Sequence, residues 1–151
     1  MKYKLVAFWL VVFGALFAFL QTRFEYHFYY IEQSQLFLFT EAYIRNKLLL
    51  PGGFSMLVAE FLVQFFIRPY VGALVTAALL TGVGVCTAGI VKRIAPISGL
   101  FILYVLPMLA LLFMHFDFNY RVQGTVCYLM MMALLCGYMR IRNDLFRLVA
   151  G

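Results

Sequence analysis

Acidic side chains in two polar stretches of an otherwise apolar chain are the residues best suited to chemistry. Glu25 and Glu32 lie in FEYHFYYIEQSQLFLFTEAYIRNK, residues 24–47, and Asp117 lies in HFDFNYR, residues 115–121. Carboxylates could bind a divalent cation, and a carboxylate can act as a general base toward an acceptor hydroxyl. We therefore predict these three as candidate catalytic residues, with a divalent cation as a possible cofactor and no fixed metal-ligand set.

Basic side chains flank the same stretches and suggest a phosphate-containing substrate. Arg23 and Arg121 are candidate substrate-binding residues because a guanidinium can hold a phosphate through two hydrogen bonds. His27 is a third candidate. The plainer interpretation stays open, in which all these residues are polar only because the loops that carry them meet water, and His27 and His115 are hydrogen-bonding residues at an interface.

The composition indicates that lipid is part of the solvent. The chain has 151 residues, of which 66% are hydrophobic and 12% charged, with a mean hydropathy of +0.96. Soluble domains are about half apolar and about one-quarter charged. Hydrolase, phosphate-loop, dinucleotide and zinc motifs are absent from the sequence. Cys86, Cys127 and Cys136 lie in apolar runs without a CxxC spacing and are expected to pack as small apolar residues.

Four runs are long enough to be predicted as transmembrane helices, which need about 17–25 mostly apolar residues. They are residues 5–22, 70–90, 97–116 and 122–139. The run 54–67 would cover only about 21 Å as a helix, so it should lie in the interface, re-enter the membrane or pack on other spans. The second span has rows of small residues that favour close helix packing, Ala73–Ala77–Thr81 and Ala78–Gly82–Cys86.

The distribution of charge predicts that both ends of the chain are cytoplasmic. With that orientation the inner segments carry an excess of basic residues over Asp144: Lys2, Lys4, Lys92, Arg93, Arg140, Arg142 and Arg147. The outer segments balance their basic residues with Glu25, Glu32, Glu41, Glu60 and Asp117. This asymmetry follows the positive-inside rule. The net charge of +6 is therefore explained by membrane insertion and anionic lipid, and no nucleic-acid partner is predicted.

The outer loop, residues 23–69, is divided into two arms by the turn Pro51-Gly52-Gly53. The first arm is predicted as one interfacial helix, with His27, Ser34 and Glu41 on one line and Glu25 and Glu32 on another. The alternation of apolar and polar residues over 24–28 would also permit a short extended segment there. The second arm is predicted as a helix with a polar stripe of Glu60, Gln64 and Arg68, and this stripe either faces water or lines a cleft.

This layout resembles the start of membrane glycosyltransferases of the C fold class, which take sugars from lipid-linked donors. Glu25 matches their early acidic position, and Asp117-Phe118-Asn119 approximates the acidic motif after their third span. The stretches YYIEQSQLFLFT and PGGFSMLVAEFLVQFF resemble the N-terminal region of an uncharacterised family of long bacterial multi-span membrane proteins. That resemblance implies a bacterial inner-membrane location and further spans beyond Gly151.

The sequence thus predicts an all-α, polytopic membrane bundle forming one domain over residues 1–151, with four spans and two short interfacial helices. Its expected partners are the lipid bilayer, other transmembrane helices and a polyprenyl-phosphate-linked substrate. The expected function is that of the N-terminal module of an envelope-facing glycosyltransferase-like protein. The alternative is a non-catalytic membrane subunit or scaffold. A transporter would be expected to carry charges in mid-span, and the four spans have none there.

Overall fold

The computed structural model describes residues 2–94, 101–117 and 119–140, and within these ranges every regular element is a helix. The elements are α1 (Lys2–Arg23), α2 (Glu25–Ser34), α3 (Glu41–Leu48), α4 (Gly53–Val63) running into a 3-10 helix (Gln64–Ile67), α5 (Val71–Ile94), α6 (Phe101–Met114) and α7 (Val122–Tyr138). The all-α prediction is confirmed. The first four residues of the predicted span 97–116, and the predicted inner residues Arg142, Asp144 and Arg147, lie outside the described residues.

Helix α5 is the centre of the bundle, and α1, α6 and α7 all pack against it. Its first row of small residues allows this packing, since Ala73 and Ala77 are fully buried. Gly84 lies so close to α1 that an added Cβ would come within 2.6 Å of the Trp9 ring. Small side chains let helix backbones approach closely, as this row predicts.

The outer loop folds into a cap on one end of the bundle. Helix α2 packs against the 3-10 helix and α5, and Phe28 meets Phe66 edge to face with ring centroids 5.5 Å apart. Helix α4 packs along α7 and buries Ala59 and Val63 completely. Of the three arrangements expected for residues 54–67, packing on another helix is therefore the one observed.

Two of the described helices, α1 and α5, are long and apolar enough to cross a membrane. The described part of α6 has 14 residues and α7 has 17, which correspond to about 21 Å and about 26 Å. A hydrocarbon layer is about 30 Å thick, so neither described length reaches across it. The described part of the chain thus supports a membrane protein with two candidate spans. Pro107 lies inside α6, which continues through it to Met114.

The prediction of one helix across the first arm is wrong, because the arm contains two helices separated by residues 35–40. Gln35 has extended backbone angles, and so does Thr40 before α3. The Gln64 side-chain amide stabilises the break, because it donates to the Phe37 carbonyl at 2.8 Å. The Tyr43 hydroxyl, whose proton goes to Glu60, lies 3.2 Å from the Leu36 carbonyl oxygen. The Gln64 bond replaces a helical hydrogen bond that a continuous arm would make.

Candidate functional site

The two acid-bearing stretches meet at one end of the bundle. Phe24, between α1 and α2, stacks on Phe116, just after α6, with centroids 5.2 Å apart and planes 11° from parallel. Phe19 of α1 and Phe113 of α6 lie against the same Phe116 ring. We call this contact, together with His27, His115, Asp117 and Tyr120, the outer junction.

His27 and His115 are the buried polar residues of the outer junction, with exposed fractions of 4% and 2%. Burial lowers the pKa of His27, and the negative charge of Asp117 acts on it in the opposite direction. Nδ1 of His115 lies 2.9 Å from the Leu111 carbonyl oxygen. Because a carbonyl can only accept, Nδ1 carries the proton and Nε2 is left as an acceptor. The outer junction therefore places two buried imidazoles and the carboxylate of Asp117 within electrostatic range of one another.

Tyr120 closes the other side of His115. Their rings lie 4.9 Å apart, and the Tyr120 hydroxyl is 3.1 Å from the Thr125 hydroxyl at the start of α7. Asp117 is exposed, and its Oδ1 accepts a hydrogen bond from the Asn119 backbone N–H at 2.9 Å. Asp117 therefore stabilises its own turn while its charge acts on His27.

The predicted catalytic carboxylates face different neighbours. Glu25 precedes His27 by two residues, so the two side chains point about 200° apart around α2. Since His27 faces the outer junction, Glu25 faces away from it, and it lines a narrow crevice with Arg68 and Tyr70. Glu32 follows Glu25 by seven residues and shares its side of α2. The crevice has a volume of about 10 Å³, room for one water at most.

The predicted phosphate-binding residues lie at helix ends. Arg23 is the last residue of α1 and Arg121 precedes α7, and both are exposed. Within residues 2–94, 101–117 and 119–140, no three His, Cys, Asp or Glu side chains come together as metal ligands would. The structure thus joins His27 and Asp117 electrostatically and leaves Glu25 and Glu32 on another face.

A second polar cluster, which the sequence did not indicate, holds the cap together. Glu60 of α4 accepts from the Lys47 ammonium at 2.6 Å and from the Tyr43 hydroxyl, both on α3. Burial, together with the hydrogen bond and charge of Glu60, raises the pKa of Tyr43 to about 12. The polar stripe of the second arm therefore turns neither to water nor to an open cleft at Glu60 and Gln64. The available signal was a pair of opposite charges flanking the Pro51-Gly52-Gly53 turn.

A large apolar groove lies at the other end of the bundle. It has a volume of about 890 Å³ between α1, α5 and α7, and Lys92 and Arg140 are among the residues that line it. Gly72 of α5 touches Phe28 of the cap. Lys92 follows Gly72 by 20 residues, or about 30 Å along the helix. The acid-rich end and the groove's cations are therefore separated by about the thickness of a membrane core.

Comparison with known proteins assigns the chain to a family of unknown function. A model of a family of unknown function, DUF6057, matches residues 1–151, so the chain belongs to that family. This agrees with the expected membership of an uncharacterised family. No curated protein and no solved structure matches the chain.

Proposed function

We propose that this DUF6057 member is a membrane-embedded helical module that acts as a non-catalytic subunit or scaffold. The observation that supports it most is the apolar surface of the bundle. Large apolar side chains are exposed on three helices: Leu10 and Val11 on α1, Leu106 and Phe113 on α6, and Met131 and Leu134 on α7. Contiguous apolar surface of this kind suits lipid and other membrane helices, and it would be costly in water.

The polar groups of the cap support the same proposal. The Glu60 cluster joins α3 to α4, and Gln64 holds the linker between α2 and α3. Among the described residues these side chains serve contacts inside the fold. A cap held together by polar contacts inside the fold is suited to presenting a fixed surface at the membrane boundary.

The proposed arrangement is a bacterial inner-membrane protein with α1, α5, α6 and α7 as four spans. The cap and outer junction then face the cell envelope, and Lys92, Arg93 and Arg140 face the cytoplasm. Among the described residues the end with Lys92, Arg93 and Arg140 carries no acidic residue, whereas acidic residues balance the basic ones at the cap end, and this asymmetry supports the orientation. The 17 residues of α7 are compatible with it because a bilayer thins locally around a short helix at modest cost.

Site-specific photo-crosslinking tests the scaffold proposal. A benzoylphenylalanine is introduced at Leu10, Leu106 or Leu134, with the fully buried Leu80 as the matched control. We expect a protein adduct of reproducible mass from at least one exposed position and none from Leu80. Adducts with lipid alone from all three exposed positions would contradict a packing role in the cell.

A second candidate function is that of a lipid-linked-sugar glycosyltransferase-like module. It is favoured by the Phe24–Phe116 stack, which brings together the two segments whose acidic residues resemble those of the C-fold glycosyltransferases. On this proposal Glu25, Glu32 and Asp117 do the chemistry, Arg23, Arg121 and His27 bind a polyprenyl-phosphate-linked substrate, and a divalent cation assists.

The two candidate functions differ in what the acids contribute. The variant Glu25→Gln, Glu32→Gln, Asp117→Asn keeps the shape of each side chain and removes its charge. The glycosyltransferase proposal predicts that membranes carrying it no longer consume a radiolabelled polyprenyl-phosphate sugar that wild-type membranes consume. The scaffold proposal predicts equal consumption by both, with crosslinked adducts unchanged.

A further inference from the structure

The groove between α1, α5 and α7 owes its width to small side chains. Both α1 and α7 pack on α5, and the facing positions on α5 and α7 are occupied by Ala78, Gly82, Gly89, Ala133 and Gly137. A Cβ added at Gly82 or Gly89 would touch α7, at 3.2 Å and 3.3 Å. A Cβ added at Gly137 would meet nothing within 4 Å. The groove therefore has open space beside Gly137.

The walls of the groove are apolar and its open end is cationic. Trp9 and Phe13 of α1 form one wall, and the lining residues at the end of α5 and α7 are Lys92 and Arg140. None of the described residues that line it is acidic. A volume of about 890 Å³ lies within the range of about 300–1,000 Å³ that is typical of ligand sites.

The cationic end is held in place by contacts between helices. The Arg93 guanidinium donates to the Met139 carbonyl and so fixes the end of α5 beside the end of α7. The Lys92 ammonium lies 5.7 Å from the centre of the Tyr104 ring on α6. Two cations at the mouth of an apolar groove are complementary to a molecule with an anionic head and a hydrocarbon chain.

We propose that this groove binds one molecule of an anionic phospholipid, phosphatidylglycerol, with an acyl chain along Trp9 and Phe13 and the phosphate between Lys92 and Arg140. Basic pockets between transmembrane helices bind anionic head groups in this way. The proposal rests on the membrane embedding stated under the proposed function and not on a protein partner. Lipid binding and protein crosslinking therefore succeed or fail separately.

Native mass spectrometry of the full chain in a non-ionic detergent measures the binding. The protein is titrated with phosphatidylglycerol and, separately, with phosphatidylcholine of identical acyl chains. Each cation near a membrane surface contributes about 1 kcal/mol, so two of them should favour phosphatidylglycerol about 30-fold. We expect one bound lipid per chain with that preference, and the double variant Lys92→Gln, Arg140→Gln should lose the preference.

The acyl chain part of the proposal has its own matched pair of variants. Gly137→Leu places a side chain in the open space of the groove, whereas Gly14→Leu places one on α1 outside it, and neither position has an atom within 4 Å of the new Cβ. Gly137→Leu should abolish binding of both lipids, and Gly14→Leu should leave it unchanged. Inorganic phosphate in excess should not displace the lipid.

Alkylation of native cysteines by N-ethylmaleimide supplies a second measurement. Cys136 lines the groove and Cys127 does not. Bound phosphatidylglycerol should slow alkylation of Cys136 and leave Cys127 unaffected. Equal binding of the two lipids, undiminished binding by Gly137→Leu, displacement by phosphate, or no protection of Cys136 would overturn the proposal.

Discussion

Removal of the Glu60 carboxylate should release α3 from the cap. Glu60 is the one group that both Tyr43 and Lys47 bind, and helix α3 makes its principal contacts with α4. With only 8 residues, α3 is too short to be stable without that support. Glu60→Ala is therefore expected to open α3 locally while the bundle around α5 stays folded.

The size of the effect follows from the partial burial of the pair. The side chains of Lys47 and Glu60 are 22% and 13% exposed. Exposed ion pairs contribute about 0–1 kcal/mol, and loss of one partner from a fully buried pair costs about 3–5 kcal/mol. We expect a cost of about 2 kcal/mol for Glu60→Ala, which is about a 30-fold change in the opening equilibrium. Tyr43→Phe loses one hydrogen bond and should cost about 1 kcal/mol.

Amide hydrogen exchange of the protein in nanodiscs measures this opening directly. Amides of residues 41–48 should exchange about 30-fold faster in Glu60→Ala, with those of α5 unchanged. The control is Arg45→Gln, an exposed position on the same helix, which should change stability by no more than about 0.5 kcal/mol. If Glu60→Ala accelerated exchange in α3 no more than Arg45→Gln does, the cluster would not be what holds the cap.

Three further outcomes follow from individual residues. Burial lowers the pKa of His27 below 6.5 in the folded protein, so the unfolded chain binds more protons in acid. Thermal stability should therefore fall as the pH drops below about 6.5, and His27→Gln should reduce that fall. Gly53→Ala brings a Cβ within 1.9 Å of the Lys47 carbonyl oxygen and should lower the free energy of unfolding by about 1–3 kcal/mol. Gly14→Ala has nothing within 4 Å of its Cβ and should raise that free energy by up to about 1 kcal/mol, and denaturation midpoints measure both changes. Tyr70 has a φ of 71° and an exposed side chain, so Tyr70→Gly should raise the unfolding midpoint through a gain of about 1 kcal/mol.

Local sequence signals were sufficient for the bundle. Hydropathy located α1, α5 and α7 within a few residues, because a helix in lipid must satisfy its backbone internally over a fixed length. The Pro51-Gly52-Gly53 turn was also predictable, since Gly52 has the left-handed φ of 73° that favours glycine. Small residues on α5 indicated the central position of that helix.

Long-range contacts determine the features of the fold that local sequence signals do not predict. Residues 35–40 leave the helical conformation because Gln64 binds the Phe37 carbonyl, and no sequence pattern within the first arm predicts that bond. The direction of His27 likewise depends on which side of α2 the end of α6 occupies. The groove is a further example, because it depends on the spacing of α1 and α7, which both pack on α5.

Cysteine accessibility across the cell membrane tests whether the cap and the outer junction face the cell envelope while the cationic end of the groove faces the cytoplasm. In a chain with its native cysteines replaced by alanine, Glu32→Cys, Asp117→Cys and Arg140→Cys are each exposed to a membrane-impermeant maleimide in spheroplasts. The account predicts labelling at positions 32 and 117 in intact spheroplasts and at position 140 only after lysis. Labelling of all three positions before lysis, or of position 140 alone, would contradict it.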